Sequence, residues 1–159
     1  MGNQGFVAPL AFWASAVNPA GIETAVRAYK RGDYSAALVS FHTLAKQGNI
    51  RATYYLGEMY RSGHGVPKEI TTALKWYVSA AAKGHRASQT RLGMLYAQGE
   101  AEGDPDHTKA YAWLSVAADN GDTFAAEQRD IAALKLSVKD LEKAKALYKQ
   151  ILPHRAAKP

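Results

Sequence analysis

The residues of this chain with the most obvious capacity for chemistry are five histidines, His42, His64, His85, His107 and His154, and an acidic run of Glu100, Glu102, Asp104 and Asp106. A zinc-binding helix sets two histidines four apart on one face, with a glutamate between them as general base. No two histidines here stand three to five apart, so no such helix is expected. His64 and His85 fall at loop and turn positions and read as solvent-exposed. A calcium loop alternates acidic ligands around a glycine at position six and closes on a glutamate at twelve. Gly103 and the residues after it do not supply that spacing, so Asp106 reads instead as a carboxylate near a helix N-terminus, where it complements the dipole. The serines lack a Gly-x-Ser-x-Gly elbow, and there is no phosphate-cradling glycine loop. The chain has no cysteine, which excludes disulfides, thiolate nucleophiles and zinc–thiolate sites. The expectation is a protein with no catalytic residues, no metal and no cofactor.

The elements that hold these residues repeat. Leu56/Leu92, Gly57/Gly93, Tyr60/Tyr96 and Gly63/Gly99 are each 36 apart. Beyond a variable loop the spacing becomes 37, pairing Ala73/Ala110, Trp76/Trp113, Ala80/Ala117, Ala81/Ala118 and Gly84/Gly121. A period of this length marks stacked supersecondary units that cannot bury their apolar faces alone. Each unit reads as helix A, a glycine-containing loop, helix B and a glycine stop. Ala52, Leu56 and Tyr60 share one face of helix A at i, i+4, i+8. Gly57 costs helix propensity, about 1 kcal/mol against Ala, so its recurrence at Gly93 predicts a close helix approach. Ala73, Trp76, Tyr77, Ala80 and Ala81 form the helix B stripe, in which Trp76 and Trp113 read as core rings rather than as a ligand-stacking pair. Gly84 and Gly121 stand where left-handed C′ glycines belong.

These residues resemble the Sel-1-like repeat, a relative of the tetratricopeptide repeat with a longer internal loop. Residues 52–84 follow that pattern, including Gly63-His64-Gly65-Val66. Residues 88–121 depart from it at the loop, where Glu100–Asp106 replaces Gly-Val, at Ser88 for Ala and at Leu114 for Tyr. The resemblance implies an all-α, right-handed α-α superhelical solenoid of about four helix pairs, from a bacterium. The solenoid spans 22–151: a degenerate pair at 22–49 turning at Gly32-Asp33, repeats at 50–85 and 86–122, and a degenerate capping pair at 123–151. In the last pair Ser137 is the expected N-cap, and Leu141, Ala144, Leu147, Tyr148 and Ile151 form the apolar face. Residues 152–159 are a tail.

Composition bounds the partners. Apolar residues make up 47% and charged residues 21% of the chain, ordinary for a globular protein. The net charge of +6 is spread out and interrupted, residues 86–121 carrying three basic and five acidic side chains. A duplex binder needs a contiguous basic face, so no nucleic acid is expected. No stretch reaches the roughly 20 apolar residues of a membrane span. Residues 1–21 form an apolar segment whose uncharged run, Phe6 to Val17, suits a signal-peptide core with Ala14-Ser15-Ala16 as a cleavage motif, although Met1–Gly5 lacks basic residues. A disordered tail or an apolar arm packed on the first helix pair fits equally well. The compartment is periplasmic or secreted in the first case and otherwise cytoplasmic.

Resemblance to tetratricopeptide solenoids implies a protein-interaction module, a monomeric scaffold or adaptor whose concave groove takes a peptide or helix of a partner. On helix A of the first repeat, Arg51, Tyr54, Glu58 and Arg61 lie at i, i+3, i+7, i+10, opposite the Ala52/Leu56/Tyr60 stripe. Thr90, Met94 and Gln98 continue that line on the next helix A. Tyrosine and arginine supply rigid or forked contact surfaces of the kind found at interface hot spots. An exported envelope accessory protein and a hydrolase are the alternatives.

Overall fold

The computed structural model describes residues 19–152, with side chains from Gly21 onward. The apolar segment 1–21, with its signal-peptide and arm readings, and the 152–159 tail therefore lie almost wholly outside the described residues. Eight helices account for nearly all of what is described: α1 (Pro19–Lys30), α2 (Tyr34–Lys46), α3 (Ile50–Ser62), α4 (Ile70–Ala82), α5 (Arg86–Gln98), α6 (His107–Asp119), α7 (Thr123–Leu134) and α8 (Val138–Ile151). Pro19 opens α1 at the position where its missing N–H costs nothing.

One device makes four of the turns. The residue after each turn glycine sends its amide back to close the preceding helix: Asp33 to the Ala28 carbonyl at 3.0 Å, Asn49 to Leu44 at 2.9 Å, His85 to Ala80 at 3.1 Å and Asp122 to Ala117 at 3.1 Å. The same four side chains then accept from the backbone of the next helix, at Ala36, Ala52, Ser88 and Ala125. One residue thus satisfies orphan groups on two helices at once, completing a Schellman stop and an N-cap. Gly84, at φ +86°, has the left-handed backbone that this geometry requires, as does Gly121 at +87°.

The two intra-repeat connections are longer and differ in sequence, yet they close alike. The Glu69 amide donates to the Tyr60 carbonyl and the Asp106 amide to the Tyr96 carbonyl, both at 2.8 Å. Asp106 also caps α6, accepting from the Lys109 amide at 2.9 Å, in line with the sequence expectation.

Packing follows chain order from α1 to α7, each helix resting on its neighbours, whereas α8 lies mainly against α6. Phe41, Leu56, Met59, Leu92, Leu95 and Leu114 are fully buried or nearly so, each contributing about 1.5–3 kcal/mol of transfer free energy. The close approach expected at the helical glycines is present. A Cβ on Gly57 would lie 2.6 Å from Tyr77 Cε1, and one on Gly93 would lie 2.4 Å from Leu114 Cγ. The ring wedged into the small-residue stripe is therefore Tyr77. Trp76 and Trp113 are only half-buried at the margins of the core, a correction to their reading as core rings.

Candidate functional site

The residues singled out for partner contact lie on α3 and α5, the first helices of the two repeats. Arg51 is exposed on α3 and pairs with Glu23 of α1. Tyr54, one turn on, is half-buried, with its ring 4.9 Å from His85 and 6.0 Å from Tyr77 between centroids. Thr90 on α5 shares a 2.7 Å hydrogen bond with the Asp122 carboxylate. Met94 and Gln98 line a concavity of about 160 Å³ between α5 and α7, facing Gln128, Ile131 and Lys135.

Glu58 differs from its neighbours on that row. The helical projection puts it on the open side of α3, but the residue is only 9% exposed because α4 and α5 reach over it. Its Oε1 accepts from the Tyr77 hydroxyl at 2.6 Å and from Arg91 Nε at 2.8 Å, and its Oε2 from Arg61 Nη2 at 3.3 Å. Burial alone would push the carboxyl pKa up. The Tyr77 hydrogen bond and the Arg91 and Arg61 charges outweigh it and hold the group below the usual carboxylate range. Desolvation, reinforced by Glu58, pushes the Tyr77 hydroxyl far above its ordinary value, so it stays a donor. In the second repeat the positions of Glu58 and Tyr77 hold Met94 and Leu114, so both halves of this polar pair give way to apolar residues together.

An aromatic run extends from this cluster towards the N-terminal pair. Tyr54 meets Tyr55 edge-on at 5.5 Å, Tyr55 meets Tyr29 at 5.4 Å, and Tyr55 stacks on Phe41 at 4.9 Å. His64 ends the run, stacked on Tyr34 at 4.3 Å with its Nδ1 3.0 Å from the Tyr29 hydroxyl. The reading of His64 and His85 as solvated turn residues is thereby corrected. His64 is drawn in because the loop after α3 folds onto α1 and α2, close enough that a Cβ on Gly65 would sit 2.9 Å from Tyr34 Cβ. His85 is drawn in because it caps α5, with Nδ1 2.9 Å from the Ser88 hydroxyl, under Tyr54. Burial, aided by the Arg51 charge, lowers its pKa.

Sequence reasoning missed Arg91 and Tyr29 as members of this surface and Tyr77 as the buried hydroxyl beneath it. A repeat comparison carries a signal for the first, since Arg91 stands where the preceding repeat has Tyr55 and so breaks the pattern. On the opposite side, Val78 of α4, Trp113 of α6 and Leu147 and Ile151 of α8 help line a second, apolar groove of about 320 Å³. Among the described residues there is no cluster of three or more potential metal ligands, and no helix is long and apolar enough to cross a membrane.

The fold and its surface define a helical-repeat protein built on stacked antiparallel pairs, with its polar and aromatic side chains organised into contacts between units. Comparison with known proteins gives the family. Residues 50–85 and 86–122 each match the Sel1 repeat, and these two units are Sel1 repeats. It is similar in structure to a protective antigen of uropathogenic Escherichia coli that displays an SLR fold. That match has a TM-score of 0.81 and 27% identity, and covers 92% of this chain and 32% of the antigen. It is also similar to a Sel1 repeat protein from Oxalobacter formigenes, with a TM-score of 0.65 and 26% identity over 84% of this chain and 55% of that one. In sequence, 56 residues are 39% identical to the ERAD-associated E3 ubiquitin-protein ligase component HRD3A of Arabidopsis thaliana; they make up 35% of this chain and 8% of that protein. The chain thus spans a small part of its curated relative and a third to a half of these solved chains. Sel1 repeats generally mediate protein–protein interaction, and the fold is typically a non-catalytic scaffold.

Proposed function

We propose that this chain is a small scaffold or adaptor that binds a peptide or single helix of a partner protein along the helix A face, acting as a monomer and without catalysis. The binding row comprises Arg51, Tyr54, Glu58, Arg61, Thr90, Met94 and Gln98, with Glu58 acting from beneath the surface through the arginines it holds. The observation that carries the reading is the half-buried Tyr54 beside Arg91, with Arg61 held on the same Glu58 carboxylate. An aromatic ring with few conformers to lose and preorganised guanidinium forks are what a peptide-binding surface needs. The concavity under Met94 and Gln98 extends the row towards α7. Two well-formed repeats offer a short row, which favours a short segment over a folded domain.

Affinity capture from native cells with the wild-type chain, run beside Tyr54→Ala/Arg61→Ala, tests the reading. Partner recovery should drop for the double variant while its helical content is retained. Equal recovery by both proteins would refute the assigned surface.

A further inference from the structure

The charge around Glu58 does not balance. Two guanidiniums, Arg61 and Arg91, converge on one carboxylate, leaving one positive charge uncompensated. Each guanidinium has five N–H donors. Arg61 uses a single one, on Glu58, and its buried Nε has no acceptor at all. Both side chains are partly open, 29% exposed for Arg61, near Tyr29, and 36% for Arg91, near Tyr54. Glu23, on the neighbouring α1, is already engaged by Arg51. A forked cation that is half-desolvated and short of acceptors is matched by a carboxylate, which accepts two parallel N–H bonds in the plane of the guanidinium.

We infer that Arg61, steadied by Glu58 and flanked by Arg91 and Tyr29, is the subsite for a carboxylate side chain, so that the segment recognised is an acidic peptide. The inference rests on the helix A face being the binding surface. Glu58 fixes the arginine rotamers and leaves the surplus charge to the ligand.

The test uses the full chain and an array of short synthetic peptides rich in Asp, Glu and Leu, each paired with a copy carrying Asn and Gln for Asp and Glu. Affinities of the peptides retained are measured by fluorescence anisotropy. Acidic peptides should bind about tenfold more tightly than their amide copies, the scale of one charge-assisted hydrogen-bond pair. Arg61→Gln should bring that ratio near one. Because the ratio compares two ligands on one protein, partial unfolding of a variant does not move it. Peptides that bind as well in amide form, or a ratio that survives Arg61→Gln, overturn the inference. If such peptides are still weakened by Tyr54→Ala, the binding face stands and only its acidic preference falls. If no peptide of either kind is retained in a Tyr54-dependent way, both fall.

Discussion

The carboxylate of Glu58 in the first repeat accepts a 2.8 Å hydrogen bond from Arg91 Nε in the second, while the same oxygen accepts from Tyr77 of its own repeat. Two successive units are therefore joined by a largely buried ion pair as well as by apolar contact. A buried charge stripped of its partner costs more than the pair contributes. Glu58→Gln should lower stability by about 1–3 kcal/mol in urea unfolding, the range for hydrogen bonds to charged groups. The half-exposed arginines keep the loss below that of a deeply buried pair. A Glu58→Gln variant as stable as the wild type would mean that the pair adds nothing to the junction between units.

The same carboxylate predicts an acid response. Its pKa is lower in the folded chain than in the unfolded one. The unfolded state thus binds the proton more readily, and stability falls as pH drops. The Glu58 contribution is complete above the unfolded carboxylate value and is lost as pH descends through the folded one. In Glu58→Gln the acid limb of the stability profile should flatten, as read by urea midpoints across that window.

His85 predicts a second response at milder pH. Its Nδ1 caps α5 only when it is an unprotonated acceptor, and burial lowers its pKa. Its stabilisation is present above the unfolded histidine value, about 6.5, and is lost as pH falls towards the folded one. His85→Asn keeps a capping oxygen and should remove this pH dependence, whereas His85→Ala should cost about 1 kcal/mol at neutral pH. Thermal melts of the three proteins at neutral and mildly acidic pH would separate these outcomes.

Gly57 and Gly93 invert a familiar rule. Replacing a helical glycine by alanine usually stabilises by about 1 kcal/mol. Here the added methyl would enter the Tyr77 ring or the Leu114 side chain. Gly57→Ala and Gly93→Ala should each destabilise instead, by about 1–3 kcal/mol, as overpacking does. A raised melting temperature for either would show that the helices have room to part.

The helices and their stacking are legible in the sequence because periodicity and repetition both report on burial. Leu56, Gly57 and Tyr60 recur at Leu92, Gly93 and Tyr96 because each sits in the same crevice of its unit. The surface is less legible. Glu58 shares its helical face with Tyr54 and Arg61 in projection, yet whether that face is open depends on Arg91 and Tyr77, residues 33 and 19 positions away. His64 misleads for the same reason, since the stacking partner that hides it, Tyr34, belongs to a different unit. The caps do carry a local signal. Gly-Asp, Gly-Asn, Gly-His and Gly-Asp at 32–33, 48–49, 84–85 and 121–122 mark four of the short turns, while the one between α7 and α8, at 135–137, has no glycine.

Those four turns have no slack. Each is closed at both ends by one residue, so an extra residue there would unseat the end of one helix and the start of the next together, and would swing everything downstream to a new angle. The connections after Gly63 and Gly99 tolerate length change, because a single backbone bond to Tyr60 or Tyr96 restores the next helix whatever lies between. The one-residue difference between the two repeats falls in these connections, between Gly63 and Glu69 against Gly99 and Asp106. Insertions and deletions in lineages of this chain should accordingly accumulate after the first helix of a unit and be purged after the second, leaving the pitch of the stack intact while its rim is rewritten.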